Sequence, residues 1–305
     1  MNHAVIDIGS NTMRLSVYAC PKSGNDIRAL FSKKEMAGLA GYVTDGALTE
    51  EGINRCVFVL KKFQESLTAI KLEGIHVFAT ASLRNVSNTE AVLRQIARRT
   101  GYAVQVLSGE EEALLDFVGA VHSVGMDSGL LVDIGGGSTE LTSFENRVVS
   151  SALSLPFGSL SLYTKNVSNI LPDAEEQANI RRMVQKELKK VKTEKEVSEI
   201  CGVGGTIRAA FKLHDRWFGD PEEMTAQTLA EMTNRLKKPG KDIIRTLLKT
   251  APDRIHTLIP GLIALQTIVT ETNAKKIYRS SYGVREGYLY HHVLGEPIRQ
   301  KNGSI

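Results

Sequence analysis

Cysteine is scarce in this 305-residue chain: Cys20, Cys56 and Cys201 are the only three, odd in number and far apart. That excludes a disulfide framework, and with no CxxC pair the common zinc patterns go too. Aromatic residues make up only 6% and include a single Trp. Charge of one sign is lacking as well: 38 Lys and Arg face 34 Asp and Glu, a net charge of +4. So small an excess does not make a specific nucleic-acid binder. Long hydrophobic runs are missing. The best, Leu258 to Leu265, is short and interrupted by Pro260 and Gly261, whereas a membrane span needs about 20 apolar residues. Met1-Asn2-His3 brings no basic n-region and no cleavage site, so a secretory signal is not expected. A reducing cytoplasm, no membrane and no specific nucleic acid are the expectations. Two phosphate signatures are also absent, GxxxxGK[ST] and a GxGxxG opening a helix, which argues against P-loop and Rossmann folds.

What is present is an internal echo. Asp7-Ile8-Gly9-Ser10-Asn11-Thr12 and Asp133-Ile134-Gly135-Gly136-Gly137-Ser138-Thr139 each follow an apolar strand and lead into another. A feature that recurs once, about a domain's length later, predicts two similarly built halves. Gly125, Asp127 and Ser128 supply turn residues for a boundary, giving domains 1–124 and 125–305, the last helix able to pack back on the first.

The rest of the chain reads as alternating strands and helices, an α/β protein. Strands are expected at 4–8, 12–19, 75–80, 102–107, 130–134, 139–144, 148–154, 200–203 and 275–281. Helices are expected at 48–72, from Asn88, after Ser108, at 173–199, after Gly205, through most of the stretch to 272, and at 287–294. Ser108 followed by Glu111 has capping-box spacing, which places Glu110, Glu111 and Glu112 in a first helical turn, where the dipole favours carboxylates.

A Gly-rich turn lets backbone N–H groups approach a phosphate without Cβ interference, and Ser or Thr hydroxyls add hydrogen bonds. An Asp ending the preceding strand can hold Mg²⁺. The plainer alternative is two β-hairpins whose glycines serve turn geometry alone. Of the three consecutive glutamates only one can reach a given site, since neighbours on a helix do not share a face; the residues alone do not choose which.

Several blocks together resemble the exopolyphosphatase/guanosine pentaphosphate phosphohydrolase (Ppx/GppA) family. They are Ala4 to Thr12, Ala79-Thr80-Ala81-Ser82-Leu83-Arg84 with Asn88, Ser108-Gly109-Glu110-Glu111-Glu112-Ala113, and Val132 to Glu140. Ser154 to Gly158, Gly202-Val203-Gly204-Gly205-Thr206 and Gly283-Val284-Arg285-Glu286-Gly287 complete the series. The resemblance implies two ribonuclease-H-like domains of the actin/Hsp70/sugar-kinase superfamily with a cleft between them. It implies hydrolysis of terminal phosphoanhydrides in inorganic polyphosphate or guanosine pentaphosphate, with Mg²⁺, Mn²⁺ or K⁺ as cations and a homodimer as the assembly. Glu112 then matches the family's general base and Glu140 its second catalytic carboxylate. Asp133 and Gly135, Gly136, Gly137 and Ser138 match one metal and phosphate loop, and Asp7, Ser10, Asn11 and Thr12 the other. Arg84 matches a phosphate-binding arginine, and Gly204 and Gly205 a further substrate-contacting pair. Asn85-Val86-Ser87 departs from many members, and the helical C-terminal domains of longer relatives are not expected.

Two other classes compete: an ATP-binding kinase or ATPase of the same superfamily, with which Gly204-Gly205 is compatible, and a non-catalytic sensor of polyphosphate or guanosine tetraphosphate. Retention of Glu112 and Glu140 speaks against the sensor. The run Arg181 to Lys195, with Lys189 and Lys190 at its centre, reads as a solvated helix face or as a rail for a long polyanion. His214-Asp215 lacks any further ligand pattern and is read as coincidence.

Overall fold

The computed structural model describes residues 1–21, 27–191, 197–301 and 303–304. The chain forms two compact units, Met1–Glu112 and Ala113–Ile305.

The first unit is built on β1 (Asn2–Ile8), β2 (Thr12–Ala19), β3 (Arg28–Met36), a small hairpin of β4 (Val43–Thr44) and β5 (Ala47–Leu48), then β6 (Gly74–Ala79) and β7 (Gln105–Val106). Its main sheet has the order β3-β2-β1-β6-β7. β1 and β2 are antiparallel, as are β2 and β3, while β6 runs parallel to β1 and β7 parallel to β6. Three helices belong here: α1 (Glu50–Leu67), the single turn α2 (Ala81–Arg84) and α3 (Thr89–Thr100). α1 starts because Thr49 Oγ1 accepts from Gly52 N at 3.3 Å. Its apolar stripe of Ile53, Val57, Leu60, Phe63 and Leu67 is buried against Ile6, Ile8, Leu15 and Val77. Asn88 precedes α3 without capping it; its amide exchanges two hydrogen bonds with the backbone of Leu48 instead.

α4 (Gly109–Val121) begins in the first unit and ends in the second. Its later residues are counted in the second unit because they pack there. Thr142 Oγ1 donates to Ala113 O at 3.1 Å, and a Cβ on Gly287 would lie 2.6 Å from the Leu115 carbonyl carbon. The division therefore falls inside a helix, not at the turn residues near 125.

The second unit contains β8 (Gly129–Ile134), β9 (Thr139–Glu145), β10 (Val148–Leu155), β11 (Glu199–Val203), β12 (Glu223–Thr225), β13 (Lys276–Arg279), β14 (Arg299–Gln300) and β15 (Gly303–Ser304). They form one sheet, ordered β12-β13-β11-β8-β9-β10-β14-β15. Its helices are α5 (Ser159–Asn166), α6 (Ala174–Leu188), α7 (Gly204–Phe218), α8 (Ala226–Arg235), α9 (Lys241–Thr250), α10 (Leu258–Glu271) and α11 (Val284–Tyr288). α10 is buried nearly all round and packs with α5, α6, α7 and α8.

The central five strands, β10-β9-β8-β11-β13, repeat the order and directions of β3-β2-β1-β6-β7. β8 and β9 are antiparallel, β9 and β10 antiparallel, and β11 and β13 successively parallel to β8. The echo Asp-Ile-Gly is thus the first hairpin of each copy: a ribonuclease-H-like domain made twice. No helix among the described residues is long and apolar enough to cross a membrane.

Candidate active site

Both hairpin turns close in the same way. Gly9 N donates to Thr12 O at 3.2 Å, and Gly135 N to Ser138 O at 3.0 Å. In each, neighbouring carbonyls are held from one side. Ala40 N reaches Ser10 O, and Ala37 N and Gly38 N reach Asn11 O, at 2.9–3.1 Å. In the second unit Ser159 N donates to Gly135 O at 2.8 Å, and Leu160 N and Ser161 N both donate to Gly136 O at 3.0 Å. A trans peptide points its N–H opposite its C=O, and no peptide here is cis. Holding the carbonyls of Gly135 and Gly136 at the start of α5 therefore turns the N–H groups of Gly136 and Gly137 to the other side. No hydrogen bond among the described residues uses either. Outward N–H groups on successive residues of a turn are the kind of donor that can bind an anion.

The charges beside the two turns differ. In the first unit Asp7 on β1 stands directly opposite Arg14 on β2. In the second, Asp133 on β8 stands opposite Glu140 on β9, and Glu140 opposite Ser154 on β10. Directly opposed side chains share a sheet face about 5 Å apart, and like charges there repel. Glu140 is only 1% exposed, so it is not a solvent-edge residue. Its Oε1 accepts from Ser154 Oγ at 2.8 Å.

Asp133 also faces the start of α7, which follows β11 without a loop. Gly204 has φ of +86°, and a Cβ there would lie 2.9 Å from the Asp133 carboxyl carbon. Only glycine meets both conditions. The carboxylate thereby sits at a helix N-terminus, where it is favoured. Thr206 Oγ1 fastens this corner by donating to Ile134 O at 2.7 Å.

Arg254 lies on the other side of the glycine pair; a Cβ at Gly205 would be 2.7 Å from its Cζ. Burial pulls the Arg254 pKa below its ordinary value, opposed by Asp253 and Asp133. The sequence reading missed this arginine. It sits in a short 3-10 turn, Pro252–Arg254, just before α10, in a stretch expected to be mostly helical. The Ala-Pro-Asp-Arg sequence at 251–254 was the available signal of a break.

In the first unit the three glutamates separate cleanly. Glu111 forms a reciprocal capping box: Ser108 N donates to its Oε2 at 2.6 Å, and its own N–H donates to Ser108 Oγ at 3.1 Å. Glu110 is exposed. Glu112 is 8% exposed and pairs with Arg84, Nη1 to Oε2 at 2.8 Å. Arg84 Nη1 also donates to Leu107 O at 3.0 Å, which fixes the guanidinium at the end of α2. A buried carboxylate and a half-buried guanidinium in contact form a place where a phosphoryl group and a water proton can both be accommodated.

Asp133 and Glu140 suit a hard divalent cation. Mg²⁺ is usually held by one or two carboxylates together with waters and substrate phosphates, not by an all-protein cage. Among the described residues no three His, Cys, Asp or Glu side chains form such a cage. His214 is excluded as a ligand by its bonds. Nδ1 meets Asp220 O at 2.8 Å and Nε2 meets Thr228 Oγ1 at 3.0 Å, in a ring 2% exposed. The glycines of Gly283-Val284-Arg285-Glu286-Gly287 serve close packing: a Cβ on Gly283 would lie 2.8 Å from Val203 Cγ1.

A profile of the Ppx/GppA phosphatase family matches residues 20–296. The chain is similar to the crystal structure of the Aquifex aeolicus member of that family, with 26% identity and a TM-score of 0.80 over 96% of this chain and 98% of that one. It is similar in fold to an exopolyphosphatase from Cytophaga hutchinsonii, with 22% identity and a TM-score of 0.84 over 98% and 100% of the two chains.

Proposed function

The chain belongs to the Ppx/GppA phosphatase family, and from that premise we propose that it hydrolyses the terminal phosphoanhydride of short inorganic polyphosphates and of guanosine pentaphosphate. The observation that carries this reading is the selective burial of Glu112 against Arg84 while Glu110 and Glu111 stay at the surface. Phosphoanhydride cleavage asks little covalent chemistry of a protein. It asks for an in-line water, charge neutralisation and a destination for one proton.

Glu112 is the destination. Its carboxylate orients water and accepts its proton, a role worth about 10²–10⁴-fold in rate. At rest it is held by Arg84. An arriving phosphate competes for the same guanidinium, so binding of the anion loosens the carboxylate for its task. In the second unit the N–H groups of Gly136 and Gly137 and the Arg254 guanidinium bind phosphoryl oxygens by charge-assisted hydrogen bonds. Asp133 and Glu140 would hold Mg²⁺, which supplies charge neutralisation on bridging and terminal phosphate oxygens. Ser154 keeps the Glu140 carboxylate oriented. In the first unit Ser10, Asn11 and Thr12 present the matching anion turn beside Asp7 and Arg14.

The test is phosphate release from polyphosphates of defined length, guanosine pentaphosphate and ATP, with Mg²⁺ titrated. Glu112→Gln is expected to lose at least about 100-fold in kcat with KM within a few-fold. Glu140→Gln is expected to raise the Mg²⁺ concentration needed for half-maximal rate. Near-normal turnover in both variants, or ATP as the preferred substrate, refutes the reading.

A further inference from the structure

The basic run on α6 resolves into unequal residues. Lys192 and Lys195 lie outside the described residues. Lys190 is paired with Glu187 at 2.7 Å, and Arg182 is bonded to Asn179. Arg181 differs: it is half-buried, and no described residue pairs with or hydrogen-bonds its guanidinium.

Arg181 faces a cavity of about 240 Å³, lined also by Gln185, Lys237, Gln266, Thr267 and Thr270. It lies between α6 and α10, with Lys237 arriving from the segment after α8. The Lys237 ammonium likewise has no ionic or hydrogen-bonded partner among the described residues. Half-buried Arg181 and exposed Lys237 thus both line one small space, neither with an ionic partner among the described residues. Among the other lining groups, the Gln266 amide is the one left to donate. Gln266 Oε1 accepts from Thr233 Oγ1, so its NH₂ is the end left to donate. The nearby Glu271 carboxylate is engaged by Gln185 Nε2 at 2.9 Å. The Thr267 and Thr270 hydroxyls donate to carbonyls of their own helix.

Like charges are not gathered around a cavity without cost, and a concave polar site with two cations concentrates anions. Arg presents a planar fork that matches an oxyanion, and Lys adds a point charge. The volume falls below the roughly 300–1,000 Å³ of ordinary small-molecule sites, which favours a compact ion over a nucleotide. None of its lining residues belongs to the glycine turns or to the Asp133, Glu140 and Arg254 group.

We propose that this cavity is a second oxyanion site, one that takes orthophosphate or the end phosphate of a short polyphosphate. It does not depend on the catalytic assignment above.

The experiment follows the side-chain amide of Gln266 in ¹H–¹⁵N spectra of the full-length chain. Sodium phosphate or tripolyphosphate is added at constant ionic strength, set with chloride. A saturable shift is expected with at least one of the two. Saturation by orthophosphate at the lower concentration assigns the free ion; saturation by tripolyphosphate at the lower concentration assigns the chain end. In Arg181→Gln/Lys237→Gln the affinity should fall at least tenfold, since two charge-assisted contacts are lost. Phosphate release by that variant on a short substrate at saturation should stay within about twofold, which also reports that the fold is intact. No saturable shift in the wild-type protein, or an undiminished one in the double variant, overturns the proposal.

Discussion

Substituting Gly205 by Ala separates a functional contact from a structural one. The added Cβ would lie 2.7 Å from Arg254 Cζ, whereas carbon atoms settle at about 3.5–4.0 Å. The guanidinium must therefore retreat by about 1 Å. It can, because the colliding group is the end of a long side chain and not backbone. The strain of such insertions is about 1–3 kcal/mol when nothing can move. Here side-chain movement relieves much of it, and Ala is up to about 1 kcal/mol better than Gly within a helix. Thermal denaturation should thus show a change of about 1 kcal/mol or less. Activity should not be spared, since a misplacement of about 1 Å in a positioned group can cost about 100-fold. We expect phosphate release from tripolyphosphate to fall at least tenfold. The double-mutant cycle gives the decisive comparison: if Gly205 acts by leaving room for Arg254, then Gly205→Ala/Arg254→Gln should be no slower than Arg254→Gln alone. Wild-type turnover in Gly205→Ala, or losses that multiply in the double variant, would refute the reasoning.

The glutamates of the α4 first turn should respond in three ways. Glu110→Gln should leave kcat within about twofold, and Glu111→Ala should cost about 0.5–1.5 kcal/mol of stability through the lost hydrogen bond from Ser108 N with little effect on kcat; equal kinetic losses at positions 110 and 112 would contradict the assignment. His256 is held below its ordinary pKa by burial, then by the Arg254 charge, against an upward pull from Asp253. Removing that charge in Arg254→Gln should raise the His256 titration midpoint in NMR, and an unchanged midpoint would show that the two groups do not interact. All three cysteines are buried, and burial pushes the Cys56 and Cys201 thiols up to about 12. The native protein should therefore resist a thiol reagent at pH 8 and react at all three thiols once unfolded; rapid labelling of the native chain would contradict the packing.

The echo of Asp-Ile-Gly was legible because a hairpin's first strand and turn are local, and their apolar run and glycines appear in the sequence. The duplicated sheet built on it was not legible strand by strand. β3 is a nine-residue edge strand, Arg28–Met36, mostly exposed. With Lys33, Lys34 and Glu35 on it, it carries none of the apolar alternation of a half-buried strand. The same charges protect an edge from pairing with other chains. β12 has three residues, too few for any period. The capping box was readable from spacing, but the choice of Glu112 was not, because Arg84 reaches it from another element. Arg254 escaped for a similar reason: its significance lies in contact with Gly205 and proximity to Asp133, which are distant in sequence. The basic run was visible as a run, yet only pairing geometry distinguishes the neutralised Lys190 from Arg181, which has no partner among the described residues.

The aspartates of the two hairpins share a backbone position but not a neighbour: Asp7 looks across at Arg14, and Asp133 at Glu140. One exchange of residue type at a single cross-strand position therefore sets what each copy can hold. Where the neighbour is a cation, the turn is neutral at rest and open to a bare anion. Where it is a second carboxylate, the turn carries net negative charge, and on the proposed assignment it accepts an anion only together with a metal. On that assignment a duplicated hairpin diverges from anion holder to cation holder with no rearrangement of the fold. Exchanging the residues at positions 14 and 140 would be the smallest edit able to reverse the two roles.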